Sequence, residues 1–159
     1  MHILLRKVNV NKSDLILSRY WEHKTLEEMS DDEWELLCDG CGHCCLTKLI
    51  DEDTDALVYT NVACNLLDLQ SCSCSDYVNR HTFEPDCIKL DVHLAKTLPW
   101  LPPTCAYRRI AENKPLPFWH PLLTGDKRKM NRYGKTVKGK VVHERERGEW
   151  EEHIVVWKL

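Results

Sequence analysis

The chain has 159 residues, enough for about one domain with a real core, since a domain of about 150 residues hides roughly two-thirds of its unfolded surface. Its 43% hydrophobic and 30% charged residues are globular composition rather than that of a disordered tail, and no apolar run approaches the ~18 residues of a membrane span. The net charge of −3 argues against a dedicated nucleic-acid binder, and the apolar start Met1-His-Ile-Leu-Leu stops at Arg6 and Lys7, too soon for a signal peptide. The expectation is a cytoplasmic protein with no membrane partner.

In chain order, residues 1–24 carry mixed signals, with Asp14–Trp21 as a short helix candidate. Thr25-Leu-Glu-Glu28 and Ser30-Asp-Asp-Glu33 are two capping boxes, in which hydroxyl and glutamate satisfy free amides reciprocally. The second predicts a helix from Asp31 to about Leu37 that delivers Trp34 and Leu37 to a core. Gly40 ends regular structure. Leu57–Thr60 reads as a strand, and 61–87 as loop-rich, needing another source of stability. Asp91–Leu98 and Cys105–Asn113 read as short helices, separated by Pro99, Pro102 and Pro103. Phe118-Trp119-His120 is an extended apolar loop between prolines. A helix is expected from about Thr124–Asp126 to Gly134. Residues 135–143 and 149–157 are β-branched or aromatic and read as a hairpin about Glu144–Gly148.

Charge is uneven. Glu27–Asp55 holds eleven acids and one base, Lys48, while Asp126–Arg147 holds nine bases and three acids. The basic stretch could touch RNA or phosphates. Two solvated or facing surfaces are the plainer reading, because no stacking-aromatic module accompanies it.

The outlier is cysteine. All nine, Cys38, Cys41, Cys44, Cys45, Cys64, Cys72, Cys74, Cys87 and Cys105, lie within residues 38–105. An odd count, no export signal and several C-x-x-C spacings favour ligated thiolates over a disulfide framework. In Cys38-Asp-Gly-Cys41-Gly-His-Cys44-Cys45, two-residue gaps let a tight loop turn sulfurs toward one point, and backbone amides can donate to them. Neighbouring side chains diverge, so Cys45 serves a different metal or points away from the first. Nine thiols could fill two tetrahedral sites with one spare, or one cluster with extra thiols. Cys105 reads equally as a ligand or a small buried residue, and His43 as a ligand or, more plainly, a solvent-exposed side chain.

Other signatures fail. Lys48 and Leu49 stand where a ferredoxin run needs Cys-Pro, and no C-x-x-C-H or paired histidines are present. The run Asp51-Glu-Asp53-Thr-Asp55 lacks the glycine and final glutamate of an EF-hand and should face water. His120, His143 and His153 read as surface or satisfied core residues. No positioned catalytic base is visible, so catalytic residues are unassigned.

The sequence resembles the bacterial YcgN-like protein family, within the broader YkgJ-type group named for a zinc- or iron-chelating CxxCxxCC domain. The resemblance rests on Leu37–Leu46, Lys48–Asp55, Asn61–Asp68, Cys74–Tyr77, Pro85–Cys87, Leu98–Arg108 and Trp119–Asp126, and covers roughly residues 16–157. It implies metal binding by Cys38, Cys41, Cys44, Cys45, Cys64, Cys74 and Cys87, with Cys72 and Cys105 particular to the narrower set. It leaves residues 1–15 as a variable extension.

The reading is one α+β domain: a small irregular cysteine-rich metal-binding core (38–105) with short helices, and a basic C-terminal stretch with a small β-hairpin (126–159). Its expected function is to hold an iron–sulfur cluster or zinc on cysteine thiolates, with a redox or protein partner. The alternatives are a zinc-stabilised protein- or nucleic-acid-binding module, and a thiol-dependent redox enzyme with Cys45 as nucleophile.

Overall fold

A computed structural model describes residues 11–159. Residues 1–10, most of the expected variable extension, lie outside the described residues. Helix α1 (Lys12–Ser18) begins at Asn11, whose side chain accepts the Ser13 N–H at 3.2 Å. Both capping boxes form. Thr25 and Glu28 open a single 3₁₀ turn, and Ser30 and Glu33 open α2 (Asp31–Leu37). Glu33 is also the acceptor for Lys24 Nζ at 2.7 Å, so a largely buried carboxylate is paired.

Strand β1 (Leu46–Ile50) turns through Asp51–Ala56 into β2 (Leu57–Ala63), antiparallel, with a register shift between Leu46 and Lys48. The acidic turn is exposed, and Asp51 folds back on Thr54 N–H and hydroxyl, so it faces water as expected. Two-residue strands β3 (Leu67–Asp68) and β4 (Ser73–Cys74) pair antiparallel. Short helices follow: α3 (Arg80–Phe83), α4 (Val92–Thr97, capped by Asp91), α5 (Ala106–Ala111, preceded by Cys105), α6 (Pro121–Thr124) and α7 (Arg128–Arg132).

The chain is α+β, with short helices and small sheets, as its pattern implies. The C-terminal β segment is present but pairs differently from the expected hairpin. Strand β5 (Val142–His143) runs parallel to Val62–Ala63, and Ile154 bridges Thr60, so both apolar runs add to β2. The segment between them takes 3₁₀ turns at Glu144–Glu146 and Trp150–His153. The physical reason is the edge of β2. Tyr59 O accepts Val155 N–H at 2.9 Å and Thr60 O accepts the Trp157 indole at 3.2 Å, groups that would otherwise lack partners.

Two apolar clusters result. One joins α1, α2, α4 and α5 through Tyr20, Trp21, Leu37, Ala95 and Tyr107. The other joins the sheet to the C-terminal segment through Leu46, Ala63, Leu67, Cys72 and Val137. The loop from Cys38 to Cys45 runs from the first cluster to the second.

Candidate metal centre

Helix α2 ends at Cys38 because Cys38 is already extended, φ −65° and ψ 123°. Asp39 turns inward, 6% exposed, and accepts the Cys41 N–H at 2.9 Å. Gly42, at φ +85°, lets the chain swing into the single 3₁₀ turn His43–Cys45; a Cβ there would lie 2.6 Å from Val137 Cγ2. Other parts of the chain hold this loop by its carbonyls. Val137 N–H donates to Cys41 O at 2.9 Å, and Lys127 Nζ to Gly40 O at 3.2 Å and Ser71 O at 3.0 Å. Lys48 Nζ donates to His43 O at 2.8 Å and Leu46 O at 2.7 Å, and lies 4.3 Å from the Trp100 ring. His120 Nε2 lies 3.2 Å from Leu37 O, and its Nδ1 accepts Leu122 N–H at 3.1 Å, so the donating tautomer fits both. His120 is thus the satisfied core histidine expected.

His43 departs from expectation. It is buried, with its ring set edge-on against Trp157 at 4.8 Å, and burial pushes its pKa down to about 4. It is neither solvent-exposed nor poised as a base.

The cysteines are distributed in two groups. Cys38, Cys41, Cys44 and Cys105 lie close enough to Asp39 to feel its charge. Burial pushes Cys38 up to about 12, with Cys44, Asp39 and Cys105 adding to it. Burial also raises Cys41, with Asp39, Cys44 and Cys38 adding. Cys105, at the start of α5, is raised to about 12 by burial, then by Asp39 and Cys44. Backbone amides oppose these shifts: those of Gly40 at Cys38, His43 at Cys41, and Arg108 and Tyr107 at Cys105.

The second group is Cys45, Cys64, Cys74 and Cys87. Leu46 faces Ala63 across β1–β2, and Cys64 N–H donates to Cys45 O at 2.9 Å, so these cysteines flank one strand crossing. Cys74 lies opposite Leu67 across β3–β4, one tight turn from Cys64. Cys87, after α3, completes the set. It is raised by burial, with Cys74 and Cys44 adding and Arg80 opposing. Cys64 is raised by burial, with Glu84, Cys87 and Cys74 adding, while Leu66 N–H donates to its sulfur at 3.4 Å.

The adjacent Cys44 and Cys45 link the groups. Interaction between their thiols lowers Cys44 to about 7 and raises Cys45. Cys45 also lies near Cys64 and Cys87. Cys72 joins neither group. It is 5% exposed and packs with Leu46, Ala63, Leu67 and Val137.

Among the described residues, no three His, Cys, Asp or Glu side chains are arranged as they stand to hold a metal ion. The thiols are neighbours rather than a closed ligand shell. Cys38 and Cys44 are the exposed members of the set. The donor set itself, clustered soft sulfurs with amides directed at them, is what zinc or an iron–sulfur centre uses.

The supporting residues Asp39, Lys48, Lys127 and Val137 were missed by the sequence reading. One signal for them existed: Lys48 is the single base in an acidic stretch. Burial lowers Lys48 to about 8, while Cys44, Cys45 and Cys41 act to raise it.

Tyr133 in the basic C-terminal stretch meets Phe118 of the proline-bounded loop. Phe118 and Tyr133 are 51% and 53% exposed with ring centroids 5.0 Å apart. Lys129 lies 4.9 Å from Phe118, and Lys135 lies 5.2 Å from Trp119. Among the described residues, Lys129, Arg132, Lys135, Lys138 and Lys140 enter no ion pair. No helix among the described residues is long and apolar enough to cross a membrane.

Residues 37–106 match the CxxCxxCC family, described as "Putative zinc- or iron-chelating domain". The chain is 56% identical to a UPF0260 protein of Proteus mirabilis over 136 residues, 86% of this chain and 92% of that one. It is 55% identical to a UPF0260 protein of Vibrio parahaemolyticus (86% and 93%) and 54% identical to one of Klebsiella pneumoniae (86% and 92%). No solved structure matches it.

Proposed function

The chain belongs to the UPF0260 family, and from that premise and the thiol groups we propose that it is a cytoplasmic metal-binding protein whose cysteine thiolates hold an iron–sulfur cluster or zinc. The observation that carries this reading is the gathering of Cys38, Cys41, Cys44 and Cys105 around one loop, and of Cys45, Cys64, Cys74 and Cys87 around one strand corner. Bound there, a cluster would supply electron storage for a redox partner, and zinc would supply a cross-link that stabilises the fold. The chain's own part is to present sulfurs, direct amides at them, and place Lys48 beside Cys44 to offset negative charge. Purification without air or chelator, followed by metal and acid-labile sulfide analysis and an absorption spectrum, tests this. Iron with sulfide and a broad visible band, or stoichiometric zinc in a colourless sample, is expected. A folded protein free of both metals overturns it.

The Phe118–Tyr133 pair among unpaired lysines supports a second reading, a zinc-stabilised module that binds single-stranded nucleic acid. Fluorescence anisotropy with a labelled oligonucleotide checks it. Binding that weakens with salt and with Lys129→Glu/Lys135→Glu favours this module. No binding at low salt removes it.

A further inference from the structure

We propose that the chain holds two separate four-thiolate centres, Cys38/Cys41/Cys44/Cys105 and Cys45/Cys64/Cys74/Cys87, with Cys72 a core residue outside both; this rests on the metal-binding reading above and specifies its sites.

The division follows from chain geometry. Adjacent side chains leave the backbone in divergent directions, so Cys44 and Cys45 cannot readily serve one mononuclear site. Cys44 belongs to the loop that circles Asp39. Cys45 opens the strand, and its carbonyl takes the Cys64 N–H at 2.9 Å, which ties it to the β corner. The β3–β4 pairing then brings Cys74 opposite Leu67, beside Cys64. The first three-cysteine loop lacks a fourth thiol of its own. Cys105 supplies it because α5 docks against the end of α2: the Tyr107 hydroxyl donates to Trp34 O at 2.8 Å, and the two rings lie 4.5 Å apart. A cysteine at the start of α5 therefore meets the cysteines that follow α2. In the second group the Leu66 N–H donates to the Cys64 sulfur at 3.4 Å. Such donors favour thiolates over thiols. Cys72, in contrast, is buried among aliphatic side chains.

The groups differ in surroundings. The first has Asp39, a buried carboxylate, at its centre, and Lys48 beside Cys44. The second has Arg80 at Cys87 and Glu84 at Cys64. Side-chain rotation is needed to close either shell.

Cobalt(II) loading of the full-length chain under anaerobic conditions, read by native mass spectrometry and by the visible bands of tetrahedral thiolate cobalt, tests the proposal. The intact chain should take up two ions, both with four-sulfur spectra. Cys105→Ser and Cys87→Ser should each degrade one centre and leave the other, and the double variant should degrade both. Cys72→Ala should retain two. One ion per chain, loss of both centres by either single change, or full retention in Cys105→Ser overturns the division while leaving metal binding intact. No uptake at all overturns both readings. If a variant fails to fold, stepwise chelation of the unmodified protein with alkylation and peptide mapping decides instead. The cysteines should become reactive in these two sets of four; any other grouping refutes the proposal.

Discussion

Gly42→Ala is the most informative change in the loop. Gly42 sits at φ +85°, and a methyl there would stand 2.6 Å from Val137 Cγ2, inside the closest approach of real atoms. The left-handed backbone costs a non-glycine residue about 1–2 kcal/mol. Overpacking against a buried side chain costs about 1–3 kcal/mol more, and Val137 is fully buried. The expected destabilisation is therefore about 2–5 kcal/mol, measured by urea unfolding of the metal-free protein at constant m. The two parts can be separated. In a Val137→Ala background the clash disappears and only the backbone part remains, so the added cost of Gly42→Ala should fall to about 1–2 kcal/mol. A coupling below about 0.5 kcal/mol between the two changes would refute the packing argument. The same variant should retain metal less well, because Gly42 sets the direction in which His43, Cys44 and Cys45 leave the loop.

Two further outcomes follow from the supports of that loop. Burial holds His120 below its ordinary pKa, so the folded state resists a proton that the unfolded chain accepts near pH ~6.5. Stability carried by neutral His120 is present above that pH and lost as pH falls below it. Chemical unfolding from pH 7.5 to 5 should show a steeper loss for the natural chain than for His120→Asn; equal slopes would contradict this. Lys48→Met keeps the apolar stem but strands the carbonyls of His43 and Leu46, and should weaken zinc affinity roughly 10- to 100-fold by chelator competition. Unchanged affinity would mean that Lys48 does not support the loop.

How much of this was legible in the sequence depends on the range of each interaction. The capping boxes at Thr25–Glu28 and Ser30–Glu33 were readable because donor and acceptor lie three residues apart. The partners of each cysteine were not, because they depend on which residues face each other across β1–β2 and β3–β4. The β-branched runs near the C-terminus showed strand tendency but not the strand they would choose; the edge of β2 drew both. His43 was misjudged for a similar reason, since the ring that covers it belongs to Trp157 at the far end of the chain. Lys127 likewise reaches Gly40 across 87 residues.

The central claim is that the clustered sulfurs are metal ligands. Its most direct test uses the two exposed cysteines, Cys38 and Cys44. Anaerobically purified protein is exposed to a small alkylating reagent before and after chelation, and each cysteine is followed by peptide mass spectrometry. The account predicts that Cys38 and Cys44 resist alkylation as purified, despite their exposure, and become the fastest to react once metal is removed. Rapid alkylation of both before chelation, at the rate seen after it, would contradict the account.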